Sequence, residues 1–199
     1  MKRHYVSIGP AMTMNTKHPK RKFVSTKRIV AVIDLAGFTK AFQSRGDVKM
    51  AAFVHDYYTA CKKAASAKGG TIVKFMGDAC LITFPPRNAK QAVETTLNLQ
   101  GTIEVLAKRN RLMLAVGANL HLADVIELGK DIIGRGVNQT FLLGHGPGIR
   151  ISEPFYRALP GAMRSSWTKH TPPVVYHLGS TEGIFEGLGK SPDANAARW

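Results

Sequence analysis

The chain has 199 residues, and 44% of them are hydrophobic, which is enough for one domain with a substantial core. Its 28 Lys and Arg residues outnumber 13 Asp and Glu residues, and the resulting formal charge of +15 favours anionic partners such as a nucleotide, a nucleic acid or an acidic lipid surface. Only two cysteines occur, without metal-ligand spacing, and no apolar run reaches the length of a membrane span, so we expect a soluble, cytoplasmic protein with reduced thiols and no membrane insertion.

The basic residues are concentrated near the N-terminus, where no carboxylate precedes Asp34. Residues 1–25 show no clear amphipathic repeat, which predicts a basic arm that is partly disordered or laid over the domain. This arm lacks an aromatic-interleaved platform and a DNA-binding motif, so a solvated tail is favoured over a nucleic-acid-binding segment. Residues 179–199 are rich in Gly, Ser, Asp, Asn and Ala and predict a weakly structured tail. The folded domain is therefore predicted over residues 26–178.

Within this domain, a near-continuous apolar strand is predicted over residues 28–33, of the kind that is buried on both faces. Apolar periodicity and glycine-containing turns then predict, in chain order, a helix over 49–68, a hairpin of strands 71–76 and 80–84, a helix over 88–107, strands over 112–120 and 123–128, a helix from 136 to about 143, and strands over 149–152 and 173–178. The order strand, helix, hairpin, helix, strand is typical of an α+β fold: a ferredoxin-like, split βαβ sheet with helices on one face.

Two of these strands run into glycine-containing turns, and each delivers one aspartate where the strand ends: Asp34 and Asp78. Carboxylate oxygens suit hard divalent cations such as Mg²⁺, which keep open positions for substrate phosphates. The turn 35–39 opens a helix, whose free backbone N–H groups would point at those phosphates. The pattern predicts a nucleoside triphosphate site, although Asp-Gly and Gly-Asp pairs also occur as ordinary turn or cap residues.

Three segments resemble the core motifs of the class III nucleotide cyclases and occur in the same order. They are Asp34-Leu35-Ala36-Gly37-Phe38-Thr39, Lys74-Phe75-Met76-Gly77-Asp78 and Asp131-Ile132-Ile133-Gly134-Arg135-Gly136-Val137-Asn138. The similarity runs from about residue 28 to about residue 178. It implies the cyclase catalytic fold and cyclisation of a nucleoside triphosphate with release of pyrophosphate.

The resemblance also implies roles for individual residues. Asp34 and Asp78 would bind two divalent ions, Mg²⁺ or Mn²⁺, with the Leu35 carbonyl as a further ligand. The remaining implied contacts are backbone N–H groups of Gly37, Phe38 and Thr39 to phosphates, Lys74 and Asp131 to the base, Asn138 to the ribose, and, on a loose match, Lys169 to a phosphate. Simpler interpretations stay open for Phe38 as a core aromatic, Lys74 as a surface residue, Asp131 as a turn former and Asn138 as a helix cap.

Two positions depart from the family pattern. Where the family carries an arginine that stabilises the transferring phosphate, this chain has Leu142, and a second phosphate-binding arginine is replaced by Ala115. Loss of one preorganised donor typically costs about 10²–10³ in rate. Nearby candidates to restore the positive charge are Arg135, Arg150 and Lys169.

Three functional hypotheses follow from the sequence. The first is an adenylate cyclase, favoured by Lys74 and Asp131, and the second is a stand-alone pyrimidine cyclase, using CTP or UTP, of the kind found in bacterial anti-phage defence. The third is a catalytically inactive pseudo-cyclase that binds nucleotide or acts as a scaffold. Because family active sites are completed across a subunit interface and this chain holds both sets of residues, the resemblance also implies a symmetric homodimer with composite sites.

Overall fold

The structure is a computed structural model, and it describes residues 23–170 and 174–178. Most of the predicted basic arm, the predicted C-terminal tail and the first residue of the last predicted strand lie outside these residues. An eight-stranded sheet runs through the described part, with strand order β2-β3-β1-β4-β6-β8-β7 and with β5 paired to β4. The strands are β1 Ser25–Ala36, β2 Thr71–Met76, β3 Ala79–Phe84, β4 Ala115–Leu128, β5 Asp131–Ile133, β6 Gly148–Ser152, β7 Trp167–His170 and β8 Val175–Leu178.

The predicted α+β architecture is confirmed, because the first four strands form the split βαβ core in the order β2-β3-β1-β4. The helices are α1 Phe38–Arg45, α2 Asp47–Ala67, α3 Ala89–Arg109, α4 Arg135–Phe141, α5 Glu153–Ala158 and α6 Gly161–Arg164. None of the described helices has both the length and the apolar character needed to cross a membrane.

Alternation along β1 separates two apolar clusters on the two faces of the sheet. Ile29, Ala31, Ile33 and Leu35 belong to the large cluster, which also takes in buried side chains of α2, α3 and α5. Val30 and Val32, which point to the other face, belong to a small cluster that includes side chains of α4 and β5. The expectation of helices on one face therefore holds for α2, α3 and α5, while α4 lies on the opposite face.

The prediction of two strands over 112–120 and 123–128 is wrong, because a single strand, β4, runs from Ala115 to Leu128. His121 lies in the middle of β4 and is buried, yet its ring nitrogens lie 2.7 Å from the Ser152 hydroxyl and 3.3 Å from the Gln139 amide oxygen. A buried polar side chain whose hydrogen bonds are satisfied does not interrupt a strand. The sequence pattern also missed β5, α5, α6 and β7, which are all short.

Candidate functional site

Asp34 lies near the end of β1 and belongs to the same alternate set as Val30 and Val32, so its side chain is on the α4 face of the sheet. β1 pairs with β3 on one side and β4 on the other, and Asp34 stands opposite Gly117 of β4. The Leu35 N–H donates to Asp34 Oδ1 at 2.9 Å. This bond fixes one of the two carboxylate oxygens.

Asp78 follows Gly77 in the two-residue turn between β2 and β3, and Gly77 has a φ of 65°. Burial raises the pKa of Asp78, a bond from its own backbone lowers it, and the charge of Asp34 together with a hydrogen bond to Asp34 raises it further. The structure therefore brings the two predicted metal ligands together, 44 positions apart in the sequence. Tertiary pairing of β1 with β3 is the cause, since Ile33 stands opposite Cys80.

The chemistry of this carboxylate pair fits a divalent cation. Both aspartates are half-buried, and among the ion pairs of the described residues none involves Asp34 or Asp78. Two adjacent carboxylates without a basic partner repel each other, and a cation between them removes that repulsion. Residues 23–170 and 174–178 contain no group of three or more His, Cys, Asp and Glu side chains placed to hold a metal, so further ligands would come from carbonyls, water or substrate.

The predicted phosphate-binding turn lies beside this pair. Helix α1 begins at Phe38, directly after Gly37, and the first backbone N–H groups of a helix lack partners within it. Gly37 has a φ of 88°, and a Cβ atom there would lie 2.7 Å from the Met113 carbonyl oxygen, so both backbone conformation and space require glycine. Phe38 is half-buried against the large cluster and Thr39 is exposed. The core interpretation of the Phe38 ring and a phosphate contact from its backbone are therefore compatible.

The two predicted base-reading residues also meet. Lys74 Nζ donates to Asp131 Oδ2 at 2.8 Å, although Lys74 lies on β2 and Asp131 begins β5. The Ile132 N–H donates to Asp131 Oδ1 at 2.8 Å. Both hydrogen bonds lower the pKa of Asp131, and the bond from Lys74 has the larger effect. Both side chains remain more than 40% exposed, so the pair is open to a ligand.

Two other predicted residues form no hydrogen bond or ion pair with these pairs in the described part of the chain. Asn138 is exposed on α4, where its backbone N–H donates to the Gly134 carbonyl at 3.4 Å. Lys169 is exposed on β7, the edge strand at the opposite end of the sheet from β2. Within one chain the structure does not bring Lys169 to the aspartate pair.

A cleft of about 200 Å³ adjoins Asp34 on the α4 face. Its lining includes Val32, Gly117, Asn119, Phe141, Arg150 and the glycine-rich segment 144–146. A Cβ atom on Gly117 would lie 2.4 Å from the Gly146 carbonyl oxygen, so this segment packs directly on β4. The cleft therefore depends on glycine at a position of the strand that stands opposite Asp34.

Arg150 is the one candidate for the missing positive charge that lines this cleft. It is 8% exposed, and its guanidinium donates to the carbonyl oxygens of Gly146 at 3.1 Å, Pro147 at 3.0 Å and His145. Arg135 is exposed on α4. At the two positions that depart from the family pattern, the uncharged Leu142 is 74% exposed and the uncharged Ala115 is buried in β4.

Asn119, which the sequence analysis did not single out, lines this cleft on β4. Its amide N–H donates to the Gly144 carbonyl at 2.8 Å, while its buried Oδ1 has no partner among the described residues. Asn119 and His121 alternate with apolar residues along β4, so their shared face was visible in the sequence. What the sequence did not show is that this face is the one that carries Asp34.

No family model matches the chain. The chain is 23% identical over 157 residues to an adenylate cyclase of Anabaena cylindrica, a match that covers 68% of this chain and 31% of that protein. It is 35% identical over 65 residues to adenylate cyclase 2 of Rhizobium meliloti, covering 33% of this chain and 18% of that protein. The matched regions thus span less than a third of these curated relatives.

Solved structures match much more of the fold. An adenylyl cyclase from P. aeruginosa superposes with a TM-score of 0.68 at 18% identity, covering 81% of this chain and 97% of that one. The fold is that of the class III nucleotide cyclases. A guanylate cyclase domain from Catenaria anguillulae in complex with GTP superposes with a TM-score of 0.63 at 20% identity, covering 80% of this chain and 99% of that one. The class III cyclase resemblance predicted from the three motifs is confirmed.

Proposed function

We propose that this protein is a nucleotide cyclase that converts a nucleoside triphosphate into a 3′,5′-cyclic monophosphate and pyrophosphate. The observation that carries the proposal is the juxtaposition of Asp34 and Asp78 beside the N-terminus of α1. The adenylate cyclase relatives and the cyclase fold support the same reaction. The ribose 3′-oxygen bonds to the α-phosphorus and loses its proton to water, while the bond from the α-phosphorus to the bridging oxygen breaks and pyrophosphate leaves in line.

In this proposal Asp34, Asp78 and the Leu35 carbonyl would hold two divalent ions, Mg²⁺ or Mn²⁺. Such ions would supply Lewis-acid chemistry for the attacking oxygen and positive charge for the phosphates. The backbone N–H groups of Gly37, Phe38 and Thr39 bind the phosphates, and Asn138 orients the ribose. The protein contributes mainly position and charge, which is the dominant requirement of phosphoryl transfer.

Arg150 would supply the positive charge of the two family arginines, whose positions in this chain are occupied by Ala115 and Leu142. It lines the same cleft as Asp34, and its buried positive charge has no acidic partner among the described residues. A charge in a partly water-excluded cleft acts over a longer range than one on the surface. Arg150 would therefore stabilise negative charge on the substrate electrostatically, while its carbonyl contacts keep the glycine-rich segment in place.

The proposal also concerns which base the substrate carries. The Lys74–Asp131 pair offers one donor and one acceptor, which suits the edge of adenine and favours ATP. A pyrimidine substrate, CTP or UTP, and a role in bacterial anti-phage signalling form the alternative within the same reaction. Because Lys74 donates a hydrogen bond to Asp131, a bound base that separates the two side chains must offer each of them a hydrogen bond of comparable free energy.

The deciding experiment is incubation of the purified protein with each of the four ribonucleoside triphosphates and Mn²⁺, followed by mass identification of the product. A cyclic monophosphate that disappears in Asp78→Asn supports the cyclase. Absence of any cyclic product with nucleotide binding retained would favour the pseudo-cyclase.

Removing either Lys74 or Asp131 should cost roughly 1–3 kcal/mol of base discrimination if the pair reads adenine. A wild type that prefers CTP or UTP contradicts that role.

The homodimer with composite sites is tested by complementation. Asp78→Asn removes a metal ligand and Asn138→Ala removes the ribose contact, and each variant alone should be inactive. Mixed subunits should regain activity, because one of the two composite sites in a heterodimer is intact. With subunit exchange verified, failure to regain activity would place the whole site within one chain.

A further inference from the structure

Tyr58 of α2 contacts the turn that carries Asp78. Its hydroxyl donates to the Gly77 carbonyl oxygen at 2.6 Å, a short bond for an O–H donor. Gly77 immediately precedes Asp78 and has a φ of 65°, a backbone conformation that glycine adopts without strain. Tyr58 therefore bonds the backbone of the turn at the residue directly before Asp78.

The ring of Tyr58 contacts the same hairpin a second time. It stacks on the Phe75 ring with centroids 3.8 Å apart and planes inclined by 17°. Lys62 lies one helical turn after Tyr58, and its Nζ is 5.7 Å from the centroid of the Phe75 ring. Phe75 is the neighbour of Lys74 on β2, so one side chain of α2 contacts the hairpin beside both Asp78 and Lys74.

The preceding residue makes the equivalent contact with β1. Tyr57 is fully buried, and its hydroxyl lies 3.5 Å from the Ile33 carbonyl oxygen, directly before Asp34. This distance is long for a hydrogen bond, so the contact is weaker than that of Tyr58. Consecutive tyrosines of α2 thus contact the backbone immediately before each of the two aspartates.

We infer that Tyr58 is a positioning residue, which keeps Asp78 beside Asp34 so that the pair can bind a divalent cation. The inference rests on the proposed metal site. Asp78 is partly buried next to a like charge, and both effects favour a turn that moves its carboxylate away from Asp34 and into water. The bond from Tyr58 to Gly77 opposes that movement before any cation is present, which reduces the ordering needed on binding.

The test compares Tyr58→Phe with wild type. This variant retains the ring that stacks on Phe75 and removes only the hydroxyl. We expect Mn²⁺ affinity, measured by isothermal titration calorimetry without nucleotide, to fall about tenfold, which corresponds to about 1.4 kcal/mol. The half-saturating Mn²⁺ concentration for turnover should rise by the same factor, while the rate at saturating Mn²⁺ changes less. The matched control is Tyr156→Phe, whose ring stacks on Tyr176 at 3.9 Å and whose Mn²⁺ affinity should equal that of wild type.

The outcomes separate this inference from the proposed reaction. Equal Mn²⁺ affinity in wild type and Tyr58→Phe overturns the positioning role, even if cyclic product forms. Weaker binding in Tyr58→Phe alone supports the role, even if wild type forms no cyclic product and the cyclase proposal fails. A wild type that binds no Mn²⁺ overturns both. Equal losses in Tyr58→Phe and Tyr156→Phe would indicate general loosening of the fold and also overturn the inference.

Discussion

The two faces of the sheet differ although the same strands build them. The face covered by α2, α3 and α5 carries a large cluster of apolar side chains. The face covered by α4 carries a small apolar cluster, to which β5 contributes Ile132. Beside this cluster lie polar or charged side chains that the strands present in alternation: Asp34, Asn119, His121, Arg150 and Ser152. Strand alternation therefore places the larger apolar cluster on one face and Asp34 of the proposed site on the other. Substitutions on the two faces should therefore separate stability from function.

The largest effect is expected at Asp34, on the α4 face. Asp34→Asn keeps an oxygen that accepts the Leu35 N–H and removes the charge that a cation needs. We expect cyclic product to fall by at least about 10³-fold, in line with loss of metal-held transition-state charge, while the free energy of unfolding is unchanged or slightly higher because repulsion with Asp78 is relieved. Product assays and urea denaturation measure both quantities. Undiminished turnover would remove the metal assignment.

The opposite pattern is expected for the α2/α3/α5 face. Leu99 of α3 is 0% exposed, and Leu99→Ala should lower the free energy of unfolding by about 2–5 kcal/mol because it leaves a cavity. Mn²⁺ affinity should stay within twofold of wild type at temperatures where the variant is folded. Leu97→Ala on the same helix is the matched control, since Leu97 is 40% exposed and its truncation should change stability by less than about 0.5 kcal/mol. A loss of Mn²⁺ affinity in Leu99→Ala equal to its loss of stability would break the division between the faces.

Arg150 should combine the two effects. Arg150→Met removes the donors to three carbonyl oxygens of the segment 145–147, and we expect a loss of about 1–3 kcal/mol in stability together with at least a tenfold lower rate. Arg150→Lys keeps the charge without the planar set of donors, so it should lose stability and retain more of the rate than Arg150→Met. Equal rates in the two variants would show that the charge of Arg150 does not contribute to turnover.

The smallest effect is expected from His121. Burial lowers the pKa of His121, although a bond to Gln139 raises it slightly. Because its folded-state pKa lies below the unfolded value of about 6.5, its contribution to stability is complete above that pH and is lost as the pH falls toward the folded-state pKa. His177, whose pKa burial also lowers, adds to the same slope.

The measurement is urea denaturation of wild type and His121→Gln between pH 7 and pH 5. The variant should lose less stability over this range than wild type, by under about 1.4 kcal/mol, the equivalent of one pKa unit. Identical slopes would show that His121 does not protonate differently in the folded and unfolded states. A matching His177→Gln series would then assign any remaining slope.

Local sequence signals were enough to predict the order of the main elements and the position of the two aspartates at strand ends. Long apolar periodicity predicted α2 and α3, and glycine-containing turns predicted the β2–β3 hairpin, because these signals are local. Tertiary pairing decided the rest. Register between β1 and β3 brings Asp78 to Asp34, and β5 brings Asp131 to Lys74, although each pair is far apart in the chain. β4 shows the reason most plainly: the residue pattern predicted two strands, over 112–120 and 123–128, whereas one strand continues through His121. Its hydrogen-bonding partners Ser152 and Gln139 are supplied only by the folded chain.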